Sequence, residues 1–80
     1  MVYIALFFSH FGAIRFHHEV AGAFDDVHLM PVPRSLSSSC GTCVTFTALG
    51  ELPHIQYERY EIEGIVQKNE DDYRYIYKAD

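Results

Sequence analysis

Hydrophobic and polar residues divide the chain into short strand-like runs and one segment of helical spacing. Residues 2–8 are a continuous run dominated by β-branched and aromatic side chains, which predicts a buried strand. Ser9 follows as an N-cap, and the next apolar residues recur every three or four positions, which predicts a helix that ends at residues 25–26. Residues 27–32 predict a second strand. A strand, a helix and a strand in this order form a βαβ unit, whose crossover makes the two strands parallel.

The second half of the chain predicts one more helix and three strands. Residues 44–47 alternate as a short third strand. Residues 51–53 begin a predicted helix with a proline near its first turn, and Leu52 and Ile55 share one of its faces, which Ile62 would extend. Residues 60–66 and 73–77 are then predicted as a hairpin whose strands flank a polar turn. The predicted order is β-α-β-β-α-β with an extra C-terminal strand, which is an α+β, ferredoxin-like two-layer sandwich.

Length and composition restrict the class of protein. The chain of 80 residues is expected to form a single domain, residues 1–80, with a thin core. Hydrophobic residues make up 49% of the chain and aromatic residues 15%, which excludes an intrinsically disordered protein. Six Lys and Arg residues against eleven Asp and Glu residues give a net charge of -5. Because binding to nucleic acid or to anionic membranes depends on a basic surface, neither is expected as a partner.

The start of the chain does not resemble an export signal, since no basic region precedes the apolar run at residues 2–8. No run approaches the roughly 18 apolar residues that a membrane span needs. The sequence therefore predicts a cytoplasmic protein. Its two cysteines, Cys40 and Cys43, are expected to be reduced in that compartment.

Cys40 and Cys43 form a C-x-x-C pair, which suits three chemistries. A dithiol exchanges with disulfides, thiolates bind zinc, and a thiolate attacks a persulfide and carries its sulfur onward. Zinc is the least supported, because a structural site needs four ligands and the histidines are scattered. Disulfide exchange lacks the helix that follows the motif in thioredoxin-like enzymes, since residues 44–47 predict a strand. Both cysteines would also suit a purely structural role as core residues.

The residues around Cys40 are suited to holding a sulfur anion. Ser38 and Ser39 precede it in a serine-rich segment that offers backbone N–H groups and hydroxyls. Gly41 leaves one side of the cysteine unshielded. Arg34, behind a rigid Pro-Val-Pro segment, adds a positive charge that favours a thiolate. The plainer alternatives are a solvated arginine at a strand end and serines that cap a turn.

A longer string around Cys40 carries a family resemblance. Residues 30–41 read Met-Pro-Val-Pro-Arg-Ser-Leu-Ser-Ser-Ser-Cys-Gly, and residues 3–14 read Tyr-Ile-Ala-Leu-Phe-Phe-Ser-His-Phe-Gly-Ala-Ile. Both strings resemble a family of small bacterial selenium/sulfur carrier protein-like proteins, closely over residues 1–48 and loosely over the rest of the chain. The resemblance implies a cytoplasmic protein whose Cys40 carries sulfur or selenium as a persulfide or selenopersulfide. It does not require Cys43.

These observations lead to the hypothesis of a chalcogen carrier that is not a stand-alone enzyme. Cys40 accepts the cargo from a cysteine desulfurase-like donor and passes it to an acceptor enzyme, with no cofactor or metal of its own. Arg34 and the backbone of residues 37–41 favour the anion, and Cys43 releases the cargo by attacking Cys40. The alternative is a non-catalytic α+β interaction module that forms a homodimer or docks on a partner through its edge strand and Tyr-rich hairpin. A dithiol redox protein is a third hypothesis.

Overall fold

Five antiparallel strands and one helix make up the described part of the chain, which in this computed structural model is residues 1–20, 22–50, 52 and 54–79. In chain order the elements are β1 (Val2–Phe7), α1 (His10–Val20), β2 (Asp25–Pro31), β3 (Thr42–Thr47), β4 (Ile62–Lys68) and β5 (Tyr73–Lys78). The strands form one sheet in the order β2-β3-β1-β4-β5, in which every neighbouring pair is antiparallel. The predicted α+β class is confirmed.

The first half of the chain folds largely as its hydrophobic pattern predicts. The backbone N–H of Gly12 donates a hydrogen bond of 3.1 Å to the Ser9 hydroxyl, so Ser9 is the N-cap of α1. The helix ends at Val20, earlier than its spacing predicts, and β2 begins at Asp25. β1 and β2 both pair antiparallel with β3, so they run parallel to each other with β3 between them. In the second half, the predicted hairpin of β4 and β5 is confirmed.

The predicted second helix is not found in the described residues between β3 and β4. Residues 54–56 lack regular structure and residues 57–61 form a turn. Glu51 and Pro53, at the predicted start of that helix, lie outside the described residues. Ile62, which the helical spacing would place on the same face as Leu52 and Ile55, belongs to β4 instead. Because a β-α-β-β-α-β sandwich has two helices, the ferredoxin-like description is not confirmed.

The turn at residues 57–61 covers part of the sheet with its aromatic side chains. Tyr57 stacks on Tyr77 of β5, with ring centroids 3.7 Å apart and an interplanar angle of 7°. Tyr60 is buried and meets Phe16 of α1 edge to face at 5.3 Å. Tyr57 and Tyr60 of this turn thus cover part of the sheet and of α1, which is the role that the predicted second helix would have.

Helix α1 lies close against this turn at Gly12. A Cβ atom built on Gly12 would overlap the carbonyl oxygen of Tyr60 and lie 3.0 Å from the carbonyl carbon, so no larger residue fits without movement. Further along α1, Glu19 forms an ion pair with Arg59 at 2.9 Å and accepts a hydrogen bond of 3.0 Å from the Tyr60 hydroxyl. Hydrogen bonds from Arg15 and Arg59 lower the pKa of Glu19 from 4.5 to about 2. These contacts fix the turn to the helix at two places.

The buried side chains form two clusters, one on each face of the sheet. The helix-side cluster lies under α1 and consists of Tyr3, Ala5, Phe7, Ala13, Phe16, Val44, Phe46, Ala48, Ile55, Tyr60, Ile62 and Ile65. The open-face cluster lies on the other side and consists of Ile4, Leu6, Cys43 and Val66, with Val32, Leu36 and Tyr73 packed against it. The segment that follows β2 therefore supplies part of the cover of the open face.

Candidate functional site

One end of the sheet brings together the elements that surround Cys40. β1 ends at Phe7, and α1 begins at His10. Because β3 and β4 run antiparallel to β1, both begin at this same end, where Phe7 pairs with Ile62 of β4. The segment that connects β2 to β3 therefore brings Cys40 close to the start of the helix.

Residues 32–41, here named the Cys40 loop, are anchored to the sheet. The Val32 N–H donates to the Gly41 carbonyl at 3.1 Å and closes the base of the loop. Inside the loop, the Leu36 N–H donates to the Pro33 carbonyl at 3.0 Å, which defines a tight turn. Val32 and Leu36 pack against the open-face cluster. The loop is therefore folded onto the sheet and is not extended into solvent.

The two serines before Cys40 have partners on the sheet. The Ser38 hydroxyl donates to the Phe7 carbonyl at 2.9 Å. Ser39 binds the Glu63 carboxylate twice, through its N–H at 2.9 Å and through its hydroxyl at 3.1 Å. The sequence predicts that Ser38 and Ser39 donate hydrogen bonds to a sulfur anion. In the structure they donate instead to the Phe7 carbonyl and to the Glu63 carboxylate. Their predicted role at the sulfur requires these hydrogen bonds to break.

Cys40 is half-buried, and its thiol contacts the backbone of Thr42. The S–H group donates to the Thr42 carbonyl oxygen at 3.3 Å, and the Thr42 N–H donates to Sγ at 3.5 Å. Gly41 between them has a φ of 74°, a conformation that favours glycine and folds the chain back on the sulfur. The backbone donor that the structure directs at this sulfur is therefore the Thr42 N–H, and not a group of the serines.

His10, the first residue of α1, contacts the same threonine. Its Nδ1 atom lies 2.9 Å from the Thr42 hydroxyl oxygen, and its side chain is exposed. Neither residue is among the predicted site residues. Their contact could have been predicted from the antiparallel pairing of β1 with β3. This pairing places the start of β3, with Thr42, beside the end of β1, which His10 follows.

Cys43 belongs to the open-face cluster and is fully buried. Its S–H group donates to the Pro31 carbonyl oxygen at 3.7 Å. Burial raises the pKa of this thiol to about 11, and the neighbouring Cys40 adds to the increase. Cys40 packs instead against the helix-side cluster, and both cysteines are free. The structure does not bring the two thiols together as a working C-x-x-C pair, so this prediction is not confirmed. The attack of Cys43 on Cys40 stays a prediction, which the burial and the raised pKa of Cys43 do not favour.

Arg34 is exposed in the turn of the Cys40 loop. The two ion pairs found in the described residues involve Arg15 and Arg59. The contribution of Arg34 to a sulfur anion stays a prediction that rests on its place in the sequence.

Two other kinds of feature are absent from residues 1–20, 22–50, 52 and 54–79. No group of three or more His, Cys, Asp and Glu side chains is placed to hold a metal ion. No helix has the length and hydropathy that crossing a membrane requires.

A comparison with known protein families shows the family to which the chain belongs. The family model described as "Putative Se/S carrier protein-like" matches residues 2–78. The chain belongs to this family. The Se/S carrier-like match extends past residues 1–48, where the sequence resemblance is close, and includes the β4–β5 hairpin. No curated protein and no solved structure matches the chain.

In this Se/S carrier-like protein, the two cysteines therefore differ in what they can do. Cys40 has solvent-exposed surface and an N–H donor from Thr42 at its sulfur. Cys43 is enclosed by apolar side chains and has a raised pKa. Of the two thiols, Cys40 is therefore the one whose position suits nucleophilic chemistry at neutral pH.

Proposed function

We propose that the protein carries sulfur or selenium, as a persulfide or selenopersulfide on Cys40, between a cysteine desulfurase-like donor and an acceptor enzyme. The proposal rests on the family match over residues 2–78. It is supported by the half-buried position of Cys40, since Cys43 is fully buried and cannot meet a partner's sulfur. We expect the protein to act in the cytoplasm as a carrier and not as a stand-alone enzyme.

Loading is a thiol–persulfide exchange. The Cys40 thiolate attacks the outer sulfur of a donor persulfide, so that a new S–S bond forms on Cys40 and the S–S bond of the donor breaks. The donor sulfur leaves as a thiolate and takes up the proton that Cys40 released, so the step consumes no oxidant or reductant. Discharge is a second exchange, in which a nucleophile of the acceptor attacks the outer sulfur and Cys40 leaves as a thiolate.

Cys40 keeps one backbone hydrogen-bond donor in the anionic states of this cycle. When the thiol loses its proton, the contact with the Thr42 carbonyl is lost as a hydrogen bond, whereas the Thr42 N–H continues to donate. A hydrogen bond to a charged acceptor is roughly twice as strong as one to a neutral acceptor, so this donor favours the thiolate. Arg34 would add positive charge, and Ser39 would add two donors once it leaves Glu63.

Intact-mass spectrometry after incubation with a cysteine desulfurase and L-cysteine tests this function. We expect one added sulfur atom on the wild-type protein and on the Cys43→Ser variant, which is the matched control, and none on Cys40→Ser. Replacing L-cysteine with L-selenocysteine in the same assay tests selenium as the cargo. Sulfur bound at Cys43, or the absence of uptake by the wild-type protein, would contradict the proposal.

A second candidate function is an interaction module without chemistry, which apolar side chains on the edge strand β5 favour. Tyr75 and Ile76 are 42% and 45% exposed, and an edge strand offers unpaired backbone groups to another chain. Under this proposal a second copy binds at β5, Ile76→Lys abolishes the dimer in sedimentation velocity, and Cys40 of the wild-type protein takes up no sulfur from the desulfurase. A protein that is monomeric at high concentration would exclude the homodimer.

A further inference from the structure

Three contacts connect His10 to the sulfur of Cys40 through a single residue, Thr42. The Nδ1 atom of His10 lies 2.9 Å from the Thr42 hydroxyl oxygen. The backbone of the same threonine contacts Cys40 Sγ through its N–H at 3.5 Å and through its carbonyl oxygen at 3.3 Å. The side chain of Thr42 therefore faces the helix while its backbone faces the sulfur.

The position of Thr42 in the sheet explains why its side chain matters. Thr42 is the first residue of β3 and pairs with Pro31 of β2, but the ladder with β1 begins only at Cys43, which pairs with Leu6. The N–H and carbonyl of Thr42 are thus available to Cys40. Thr42 is not held in place by pairing with β1. On the side that faces α1, the contact of its hydroxyl with His10 takes the place of that pairing.

We propose that His10 is a positioning residue for Cys40, which holds the Thr42 side chain and thereby keeps the Thr42 N–H directed at the sulfur when the thiol becomes a thiolate. Without this hold, the Thr42 N–H can turn away from the sulfur, and the carbonyl oxygen, 3.3 Å from Sγ, then repels negative charge there without a compensating donor from Thr42. The proton that leaves Cys40 goes to solvent. The biological importance of this arrangement rests on the proposed carrier function, because loading requires the thiolate.

The rate of alkylation of Cys40 by iodoacetamide, measured across pH in the Cys43→Ser background, tests this role. Loss of one hydrogen bond changes an equilibrium constant, here that for deprotonation of the thiol, by about 3–10-fold. We therefore expect His10→Ala and Thr42→Val each to slow the reaction at neutral pH by about that factor. His10→Asn keeps a hydrogen-bonding atom at the place of Nδ1, and Thr42→Ser keeps the hydroxyl, so both are expected to restore the rate. His18→Ala removes another exposed histidine of α1 and is the matched control.

The pH profile separates positioning from a general loss of structure. In His10→Ala, the pH of half-maximal rate is expected to rise while the maximal rate at high pH is unchanged, and thermal unfolding stays as in the wild type. The double variant with Thr42→Val is expected to be no slower than either single variant, because the two changes break one chain of contacts. A profile of His10→Ala that coincides with the wild type, or a failure of His10→Asn to restore the rate, would overturn the proposal.

Sulfur loading of the same variants distinguishes this inference from the proposed function. If the wild-type protein takes up no sulfur but alkylation of Cys40 depends on His10, the carrier function is refuted and the positioning role stands. If the wild-type protein loads sulfur and the alkylation profile of His10→Ala is unchanged, the positioning role is refuted and the carrier function stands.

Discussion

Replacement of Gly12 by alanine tests the close approach of α1 to the turn at residues 57–61. The added Cβ would overlap the carbonyl oxygen of Tyr60, which is backbone and cannot rotate away, so helix and turn must separate. Overpacking of this kind costs about 1–3 kcal/mol. The separation also weakens the edge-to-face contact of Phe16 with Tyr60, a contact worth about 0.5–1.5 kcal/mol.

The helix propensity of alanine opposes this cost, because alanine is more favourable than glycine by about 1 kcal/mol in a helix interior. The steric terms are larger, and we expect the free energy of unfolding of Gly12→Ala to fall by about 2 kcal/mol. For a domain of this size, a loss of 1 kcal/mol lowers Tm by about 4–8 °C, so the melting temperature should drop by roughly 10 °C.

Urea unfolding and thermal melts followed by circular dichroism measure this change, with Gly22→Ala as the matched control. A Cβ on Gly22 meets nothing within 4 Å, and we expect that variant to keep the wild-type stability or to gain a few tenths of a kcal/mol. If Gly12→Ala and Gly22→Ala were equally stable, the close packing of α1 against the turn at residues 57–61 would be refuted.

Three further predictions concern the site and the pH dependence of stability. Because the pKa of Cys43 is raised to about 11, only ~0.03% of it is thiolate at pH 7.5, and iodoacetamide should label Cys40 fully before Cys43 is detected in the folded protein by peptide mapping; equal labelling would contradict this. Glu63→Gln removes a negative charge that holds Ser39 beside Cys40, so alkylation of Cys40 should become about 2–5-fold faster; an unchanged rate would show that the carboxylate has no influence on the sulfur. Because Glu19 has a folded-state pKa of about 2 against 4.5 for the unfolded state, its contribution to stability is present above pH 4.5 and is lost as the pH falls toward 2. Urea unfolding at several pH values should therefore show a smaller loss of stability in this range for Glu19→Gln than for the wild type.

The elements that the sequence predicts correctly are those with a strong local pattern. The apolar run of β1, the N-cap at Ser9 and the polar turn between β4 and β5 each act over a few neighbouring residues. The prediction of a second helix is wrong. Its apolar spacing includes residues from both sides of an element boundary, because Ile62 is the first residue of strand β4. A periodic pattern cannot show where one element stops and the next begins when both bury apolar side chains.

The site is predictable only where its residues are neighbours in the chain. The loop that carries Cys40 is evident from its composition, but the partners of that loop are distant in sequence. His10 is 32 positions from Thr42, and Ser39 is 24 positions from Glu63. These contacts depend on the order of strands in the sheet, which the residues around the cysteine do not encode.

The face of the sheet on which Cys43 lies could have been derived from alternation alone. Val44 and Phe46 point to the helix side, so a strand that begins at Thr42 places Cys43 on the opposite face. The predicted strand begins at Val44 and so leaves Cys43 in the loop with Cys40. In that position the two cysteines resemble a redox motif.

The distribution of Cys40 and Cys43 over two separate clusters determines how the protein responds to peroxide. An accessible thiolate is oxidised to a sulfenic acid, which a nearby resolving thiol normally captures as a disulfide. Cys43 is buried and its pKa is raised to about 11, so we do not expect it to take this role. A sulfenic acid on Cys40 must therefore be captured by an external thiol such as glutathione, or it advances to a sulfinic acid that thiols do not reduce. We therefore expect recovery of an oxidised Cys40 to depend on thiols from outside this chain.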